Sequence, residues 1–366
     1  MGTLSAVRTV RLATRPSPLA LAQAAIVAGA LQVAAGDHLE LATEIVATRT
    51  AGDVDRRELT EIGGTGVFVG AVRRAVLDGR ADVAVHSAKD LPVAPAAGLV
   101  LAAIPTRGDV GDVLVVRVPT EPAARAGAGT ESDGAAAATG SDGAAAAART
   151  LLAGLPAGAR IGTGSPRRAA ALAAAGRSAG VPVEVVGVRG NVGTRVALVA
   201  DGRLDAVVVA AAGLDRLDAA TPPPGLEFRR CPLEWMLPAP AQGALALECR
   251  ADAPPWLQAV LHDCSDEATR VAVEAERSVL EALDAGCSTP VGTLARLDDT
   301  GGVLHLLTSL ARPDGRVVTA SVRGPAAEPR ALGAAAARAL LGDVARSATP
   351  GPPVPHLSSD LEEGAS

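Results

Sequence analysis

Asp78-Gly79-Arg80-Ala81-Asp82-Val83-Ala84-Val85 returns later in the chain as Asp201-Gly202-Arg203-Leu204-Asp205-Ala206-Val207-Val208. In each copy a helix-like stretch closes on Asp-Gly and an apolar run follows, the pattern of a strand buried on both faces. Two further pairs keep the same order. Arg11-Leu12-Ala13-Thr14 is echoed by Arg160-Ile161-Gly162-Thr163, and Glu44-Ile45-Val46 through Arg49 by Glu184-Val185-Val186 through Arg189. Three ordered echoes predict one structural unit used twice, that is, two similar α/β lobes.

Working outward, Val/Ile-rich strands alternate with Ala/Leu-rich helical stretches such as 19–33 and 167–175, which predicts mostly parallel sheets with covering helices. Such sheets bind ligands beyond the carboxyl ends of their strands. Thr14-Arg15-Pro16-Ser17 and Thr163-Gly164-Ser165-Pro166 both fall at strand-to-helix turns, where exposed N–H groups favour anions. A cleft between the lobes is therefore the expected site. The echo also isolates an asymmetry: His86-Ser87-Ala88-Lys89-Asp90 in the first copy becomes Val209-Ala210-Ala211-Ala212-Gly213 in the second. If the lobes share a fold, the scaffold does not need the polar residues, and chemistry is expected in lobe 1. Lys89 is the only lysine among 34 basic residues; an ammonium is compact and tunable by burial where a guanidinium is not.

Length allows two or three domains, and a hydrophobic fraction of 48% supports a globular chain. Only Phe68, Phe228, Trp235 and Trp256 are aromatic, so base-stacking recognition of nucleic acid is not expected. A net charge of -6 argues against a broad phosphate-binding surface. Met1-Gly2-Thr3-Leu4-Ser5 lacks the basic-then-apolar order of a signal peptide, and no apolar run is expected to span a bilayer, so a cytoplasmic protein without a membrane partner is expected. Cys231, Cys249, Cys264 and Cys287 form no CxxC pair and read as free thiols; no metal site is expected.

The expected units are lobe 1 at 6–105 with about 238–262, lobe 2 at 106–237, an α+β unit at 265–347, and a disordered tail at 349–366. Within lobe 2, residues 121–149 carry two Ser-Asp-Gly-Ala repeats and read as a mobile low-complexity insertion. In the third unit an amphipathic helix is expected over 266–285, with Ser265 as N-cap and Gly286 as a left-handed C-cap, so that Cys287 follows on a loop. Strands over 293–297, 303–310 and 316–322 and a closing helix over 328–346 complete it.

The motifs, taken together, resemble the hydroxymethylbilane synthase (porphobilinogen deaminase) family. They run in order from RLATRPSPLALAQ at Arg11, through GGTGVF at Gly63, DVAVHSAKDLP at Asp82, GTGSPRR at Gly162 and VRGNVGTR at Val188. AAAGLDRL at Ala210, PAPAQGALALECR at Pro238 and AERSVLEALDAGCSTPVG at Ala275 continue the set to Gly292. The resemblance implies two periplasmic-binding-protein-like α/β lobes plus a small C-terminal α+β domain with a three-stranded antiparallel sheet. It implies a monomeric transferase that condenses four porphobilinogen molecules, releasing ammonia each time, on a dipyrromethane cofactor bound covalently through a cysteine thioether.

By motif position, Asp90 is the implied catalytic residue and Cys287 the attachment point. Lys89, Arg15, Ser17, Ser165, Arg167, Arg168 and Arg189 are implied cofactor ligands. Arg11, Arg15, Arg189, Arg195, Arg216 and Phe68 are implied on the substrate side, Phe68 in a loop over the cleft. The chemistry is consistent: each porphobilinogen carries an acetate and a propionate, which planar guanidinium groups bind in bidentate fashion. The adjacent cations Arg167-Arg168 at a helix start oppose the helix dipole, which favours an anion there. Ammonia loss leaves a cation spread onto the pyrrole nitrogen, and a carboxylate beside that N–H can stabilise it and later take a proton. The chain departs from the family pattern at Thr65, usually lysine, at Gly164-Ser165, usually Ser-Ser, and at Asp109-Val110-Gly111-Asp112. Two rivals are a binding protein of the periplasmic type, which shares the doubled architecture without chemistry, and an enzyme using Lys89 as a Schiff-base nucleophile.

Overall fold

The computed structural model describes residues 7–36, 39–49, 69–118, 141–286 and 289–346. Strands β1 (Arg8–Thr14), β2 (Leu41–Ala47), β3 (Val83–Ser87), β4 (Leu99–Ala103) and β10 (Leu245–Arg250) form the sheet of lobe 1, in the order β2-β1-β3-β10-β4. Strands β5 (Asp112–Arg117), β6 (Ala159–Gly162), β7 (Val183–Val186), β8 (Ala206–Ala210) and β9 (Leu226–Arg230) form that of lobe 2, in the order β7-β6-β8-β5-β9. In both sheets the first three strands are parallel and the fourth runs antiparallel to its neighbours. The three sequence echoes fall on matching strands, β1 with β6, β2 with β7 and β3 with β8. They also carry one shared contact: Asp82 accepts from the Arg11 backbone N–H and Asp205 from that of Arg160, each at 2.8 Å. The repeated Asp is thus a scaffold device that joins the start of one strand to its parallel neighbour.

Helix α1 (Pro18–Ala35) follows β1, with Ser17 as N-cap accepting from Ala20 N–H and proline at the first helical position. The expectation that no apolar run could span a bilayer is corrected here: α1 is uncharged and, by length and composition, long and apolar enough to do so. Its packing sets a different role, because Ala24, Val27 and Leu31 are buried and Val27 and Leu31 join Val10, Leu12, Val83 and Leu247 in the lobe 1 core. Fully burying side chains such as Leu12 and Leu31 contributes roughly 1.5–3 kcal/mol each. Helix α2 (Gly70–Leu77) leads into β3. In lobe 2, α3 (Ser141–Leu152) and α4 (Pro166–Ala179) pack on β6; α5 (Val192–Ala200) and the short α6 (Ala211–Asp215) flank β8. The expected insertion 121–149 is therefore too long. Residues 141–149 belong to α3, because Ala148, Leu151 and Leu152 bury one face of it in the lobe 2 core, while 119–140 and the tail lie outside the described residues.

The chain crosses between lobes at 104–111 and 231–244, and the two crossovers are stitched together. Gly108 N–H donates to Gly243 O at 3.1 Å, and the Gln242 side-chain amide donates to Val110 O at 2.8 Å. Gly243 has φ 87°, and a Cβ there would meet Gly108 O at 2.6 Å, so both conformation and space demand glycine.

Helix α7 (Pro255–Cys264) packs Leu257, Val260 and Leu261 into the lobe 1 core, and the third unit follows as α8 (Glu267–Ala282), the antiparallel strands β11 (Val291–Leu297), β12 (Val303–Ala311) and β13 (Val317–Pro325), and α9 (Pro329–Arg346). Its own core holds Val271, Val279, Leu304, Leu306 and Leu340. Two expected caps are corrected. Asp266, not Ser265, caps α8 by accepting from Thr269 N–H at 2.7 Å, since the Ser265 hydroxyl is already engaged by Ile104 N–H at 3.1 Å. The left-handed residue after α8 is Asp284, at φ 48°, because the helix ends at Ala282, a turn earlier than the apolar pattern predicts.

Candidate active site

Strand β3 delivers its last residue, Ser87, into a single 3-10 turn, Ala88–Asp90. Ala88 is buried and pins the turn, Lys89 is half-buried and Asp90 is exposed. Gln23, buried on α1, exchanges hydrogen bonds with the Ser87 hydroxyl at 3.0 and 3.2 Å, fixing the strand end from the opposite layer. The matching turn of lobe 2 is apolar and buried, and a Cβ on Gly213 would meet Leu19 of lobe 1 at 3.8 Å. The polar turn is present only where the sequence asymmetry placed it.

Opposite it lies a cation cluster from lobe 2. Ser165 caps α4 by accepting from Arg168 N–H, repeating Ser17 on α1, and the first turn of α4 carries Arg167 and Arg168 inward. Both are buried against Asp112, the first residue of β5. Arg167 Nη2 donates to Asp112 Oδ2 at 2.8 Å, Arg168 Nη2 to Oδ1 at 2.7 Å, and Gln242 Nε2 to Oδ1 at 2.8 Å. The other guanidinium ends donate to Leu237 O at 2.6 Å and Val208 O at 3.0 Å. Burial works to raise the Asp112 carboxyl, but the two guanidinium groups outweigh it and hold it well below the usual carboxylate range. Burial likewise lowers Arg167 from its ordinary value, with Asp112 opposing.

One carboxylate serves two guanidinium groups, and Arg167 Nε and Arg168 Nε are buried with no partner among the described residues. The surplus positive charge is felt across the lobes. Lys89 is lowered to about 8, first by burial; Asp90 and Asp112 pull it up, Arg168 and Arg167 push it down. Arg195 on α5, whose Nε donates to Gly190 O at 2.9 Å, is lowered by burial and by Arg168 while Asp90 raises it. These mutual influences bring Lys89, Asp90, Arg167, Arg168 and Arg195 into one electrostatic neighbourhood.

The remaining expected residues spread around this centre. Arg15 is half-buried just past β1, Arg189 is exposed on the loop before α5, and Ser17 and Ser165 are helix caps at the strand-to-helix turns. Arg216 donates to Gly243 O at the crossover. Arg11, expected on the substrate side, forms a two-point ion pair between its guanidinium and Asp82 at 3.1 and 2.8 Å. Phe68, Thr65 and Cys287 lie outside the described residues. The sequence reading missed Asp112 as the shared counterion. The signal was present, because two adjacent arginines that enter a core require a buried carboxylate.

Comparison with known proteins shows the family. Residues 10–258 match the family model described as porphobilinogen deaminase, dipyromethane cofactor binding domain, and residues 270–342 the one described as porphobilinogen deaminase, C-terminal domain. The chain is 44% identical over 345 residues to porphobilinogen deaminase 1 of Streptomyces coelicolor, covering 92% of this chain and 94% of that one. It is 43% identical over 333 residues to porphobilinogen deaminase of Leifsonia xyli, covering 89% and 86%. Among solved structures, the periplasmic aliphatic sulphonate-binding protein of Escherichia coli aligns at 12% identity over 75% of this chain and 70% of its own, with a TM-score of 0.33. The doubled lobe rests on the matching sheet orders rather than on that likeness.

Proposed function

The chain belongs to the porphobilinogen deaminase family, and from that membership we propose how its own residues divide the work. It is a hydroxymethylbilane synthase, a transferase that condenses four porphobilinogen molecules head to tail with release of ammonia and then frees the linear tetrapyrrole by hydrolysis. Its cofactor is dipyrromethane, which supplies the primer pyrrole to which the first substrate is joined.

The residues present fit such a group. Arg167 Nε and Arg168 Nε are buried donors without partners among the described residues, and the surrounding charge is positive in excess, as acetate and propionate side chains require. In our reading Lys89, Arg167, Arg168 and Arg189, with Arg15, Ser17 and Ser165 at the two strand-to-helix turns, hold its carboxylates. Cys287 anchors it by a thioether. Arg195, Arg189, Arg15 and Arg216 take the carboxylates of incoming substrate, with Phe68 as a further substrate contact.

Asp90 carries the chemistry. Its exposed carboxylate stands at the carboxyl end of β3 within the field of Arg195 and Lys89, and this placement is the observation on which the reading rests. It accepts the pyrrole N–H of the substrate, stabilises the cation left when ammonia departs, and then takes the proton from the newly bonded pyrrole carbon. Lobe 1, taken as 6–105 with about 238–262, thus supplies acid–base chemistry, lobe 2 (106–237) most guanidinium groups, and 265–347 the anchor. We further propose a cytoplasmic monomer, since each of the three sheets covers its core from within the chain and α1 is packed into lobe 1.

Asp90→Asn tests this. We expect kcat to fall by about two orders of magnitude or more while cofactor remains attached, as loss of positioned acid–base catalysis demands. A near wild-type condensation rate in that variant removes the assignment.

A further inference from the structure

The turn that bears Asp90 does little to hold itself. It is one 3-10 turn of three residues, its Ser87 N-cap makes no side-chain capping bond to the turn, and its closing backbone bond, Leu91 N–H to Ala88 O, is 3.3 Å long. Turns of this kind have poor hydrogen-bond geometry and take their shape from what packs around them. On the strand side, Ala88 N–H donates to Ala244 O at 3.0 Å and Gln23 holds Ser87. On the other side the support comes from a different unit of the protein. Arg277, half-buried on α8, directs Nη1 to Ala88 O at 3.2 Å and to Leu91 O at 2.8 Å, and Nη2 to Pro92 O at 2.7 Å.

Those three carbonyls lie on both sides of Asp90 in the chain, so one rigid planar group spans the turn. A guanidinium suits this task because its donors keep fixed directions, and each bond to a charged donor is stronger than a neutral one. The preceding residue, Glu276, is committed in another direction. It accepts from Arg107 at 2.8 Å on each oxygen and from Ala241 N–H at 2.7 Å, which ties the same helix turn to both crossovers. Helix α8 is thereby fixed to the frame of the lobes, and Arg277 works from a fixed base.

We propose that Arg277 is a positioning residue for the condensation: from the third unit it clamps the backbone on either side of Asp90 and sets where that carboxylate meets the pyrrole N–H. The inference rests on the assignment of Asp90, and it gives the third unit a part in catalysis beyond anchoring.

The test compares Arg277→Gln, Arg277→Lys, Asp90→Asn and Arg330→Ala with the wild-type holoenzyme. Arg330 is an exposed control whose ion pair with Glu281, 2.7 Å, also touches α8. The loaded fraction is counted by intact mass, and kcat and KM for porphobilinogen are expressed per loaded molecule. Displacing a reacting group by about 1 Å costs up to about a hundredfold, so Arg277→Gln should lower kcat by about tenfold to a hundredfold with KM within about twofold. Arg277→Lys should fall between, since one ammonium reaches fewer of the three carbonyls, and Arg330→Ala should match the wild type.

A purely structural role lowers the loaded fraction and leaves kcat per loaded molecule unchanged in Arg277→Gln, and that result overturns the proposal. So does an equal loss of kcat in Arg330→Ala. If Arg277→Gln fails to fold or load, Arg277→Lys decides: reduced kcat at unchanged KM supports positioning, and wild-type kcat overturns it. Full activity in Asp90→Asn instead removes the underlying assignment, whereas an inactive Asp90→Asn beside a fully active Arg277→Gln removes the positioning role alone.

Discussion

Asp112 and Arg168 meet at 2.7 Å with almost no solvent on either, joining the first residue of β5 to the first turn of α4. Arg167 shares the same carboxylate at 2.8 Å, so Asp112 fixes both guanidinium groups with one charge and leaves a surplus facing the cleft. In the proposed function this arrangement leaves charge for carboxylates while the scaffold stays hydrogen-bonded.

Asp112→Asn should therefore cost more than an ordinary core substitution. Removing one partner of a buried ion pair leaves uncompensated charge and typically costs about 3–5 kcal/mol. We expect a lowered denaturation midpoint of that size together with a reduced cofactor-loaded fraction by intact mass. A variant of wild-type stability and loading would refute the shared-counterion role.

A second buried carboxylate governs acid stability. Glu248 on β10 lies 3.1 Å from His86 and accepts from Arg73 at 2.7 and 2.8 Å. Burial works to raise it, but the adjacent His86 and the two hydrogen bonds from Arg73 prevail and lower it from 4.5 to about 2. A depressed carboxyl value stabilises the fold above the unfolded value and loses that contribution as pH falls toward the folded one. Glu248→Gln should thus be less stable than wild type by roughly 2–3 kcal/mol at neutral pH, the gap closing between pH 4.5 and about 2. Denaturant midpoints across that window check it.

The ammonium of Lys89 should show in cofactor loading. Lowered to about 8, it is charged below that pH and neutral above it, while bound carboxylates favour the charged form. Loading of the apoprotein with cofactor, counted by intact mass, should weaken by up to about tenfold between pH 7 and pH 9 in the wild type, as loss of one titrating cation predicts. The guanidinium introduced by Lys89→Arg stays charged throughout and should flatten the profile. Activity kept in Lys89→Arg, together with failure of borohydride to trap substrate on Lys89 of the wild type, also excludes a Schiff-base role for Lys89.

The covalent cofactor predicts a mass. The intact active protein should weigh more than its sequence by two pyrrole units, and Cys287→Ala should abolish the excess together with activity. An active preparation at the unmodified mass would contradict the thioether assignment.

Several features were legible from residues alone because they are local and periodic. The three echoes gave matching strands, the asymmetry between Lys89-Asp90 and Ala212-Gly213 gave the lobe with the polar turn, and Ser17-Pro18 and Ser165-Pro166 gave two helix starts. Each depends on neighbours in sequence or on a repeated pattern, which is the information a chain displays before it folds.

Other features depended on partners far along the chain. The ion pair of Arg11 with Asp82 spans 71 residues, and the uncharged helix at Pro18–Ala35, apolar enough for a bilayer, takes its role from the lobe 1 core against which it packs. Residues 141–149 read as part of a low-complexity insertion until Ala148 and Leu151 met the lobe 2 core. Asp112 and the clamp from Arg277 onto Ala88, Leu91 and Pro92 join segments far apart in the sequence. The sequence by itself determined the doubled lobe and the residues able to do the chemistry, through short-range pattern. Only the tertiary structure decided which charges are neutralised within the scaffold and which remain for carboxylates, because a buried charge is settled by whatever partner the fold brings within hydrogen-bond distance.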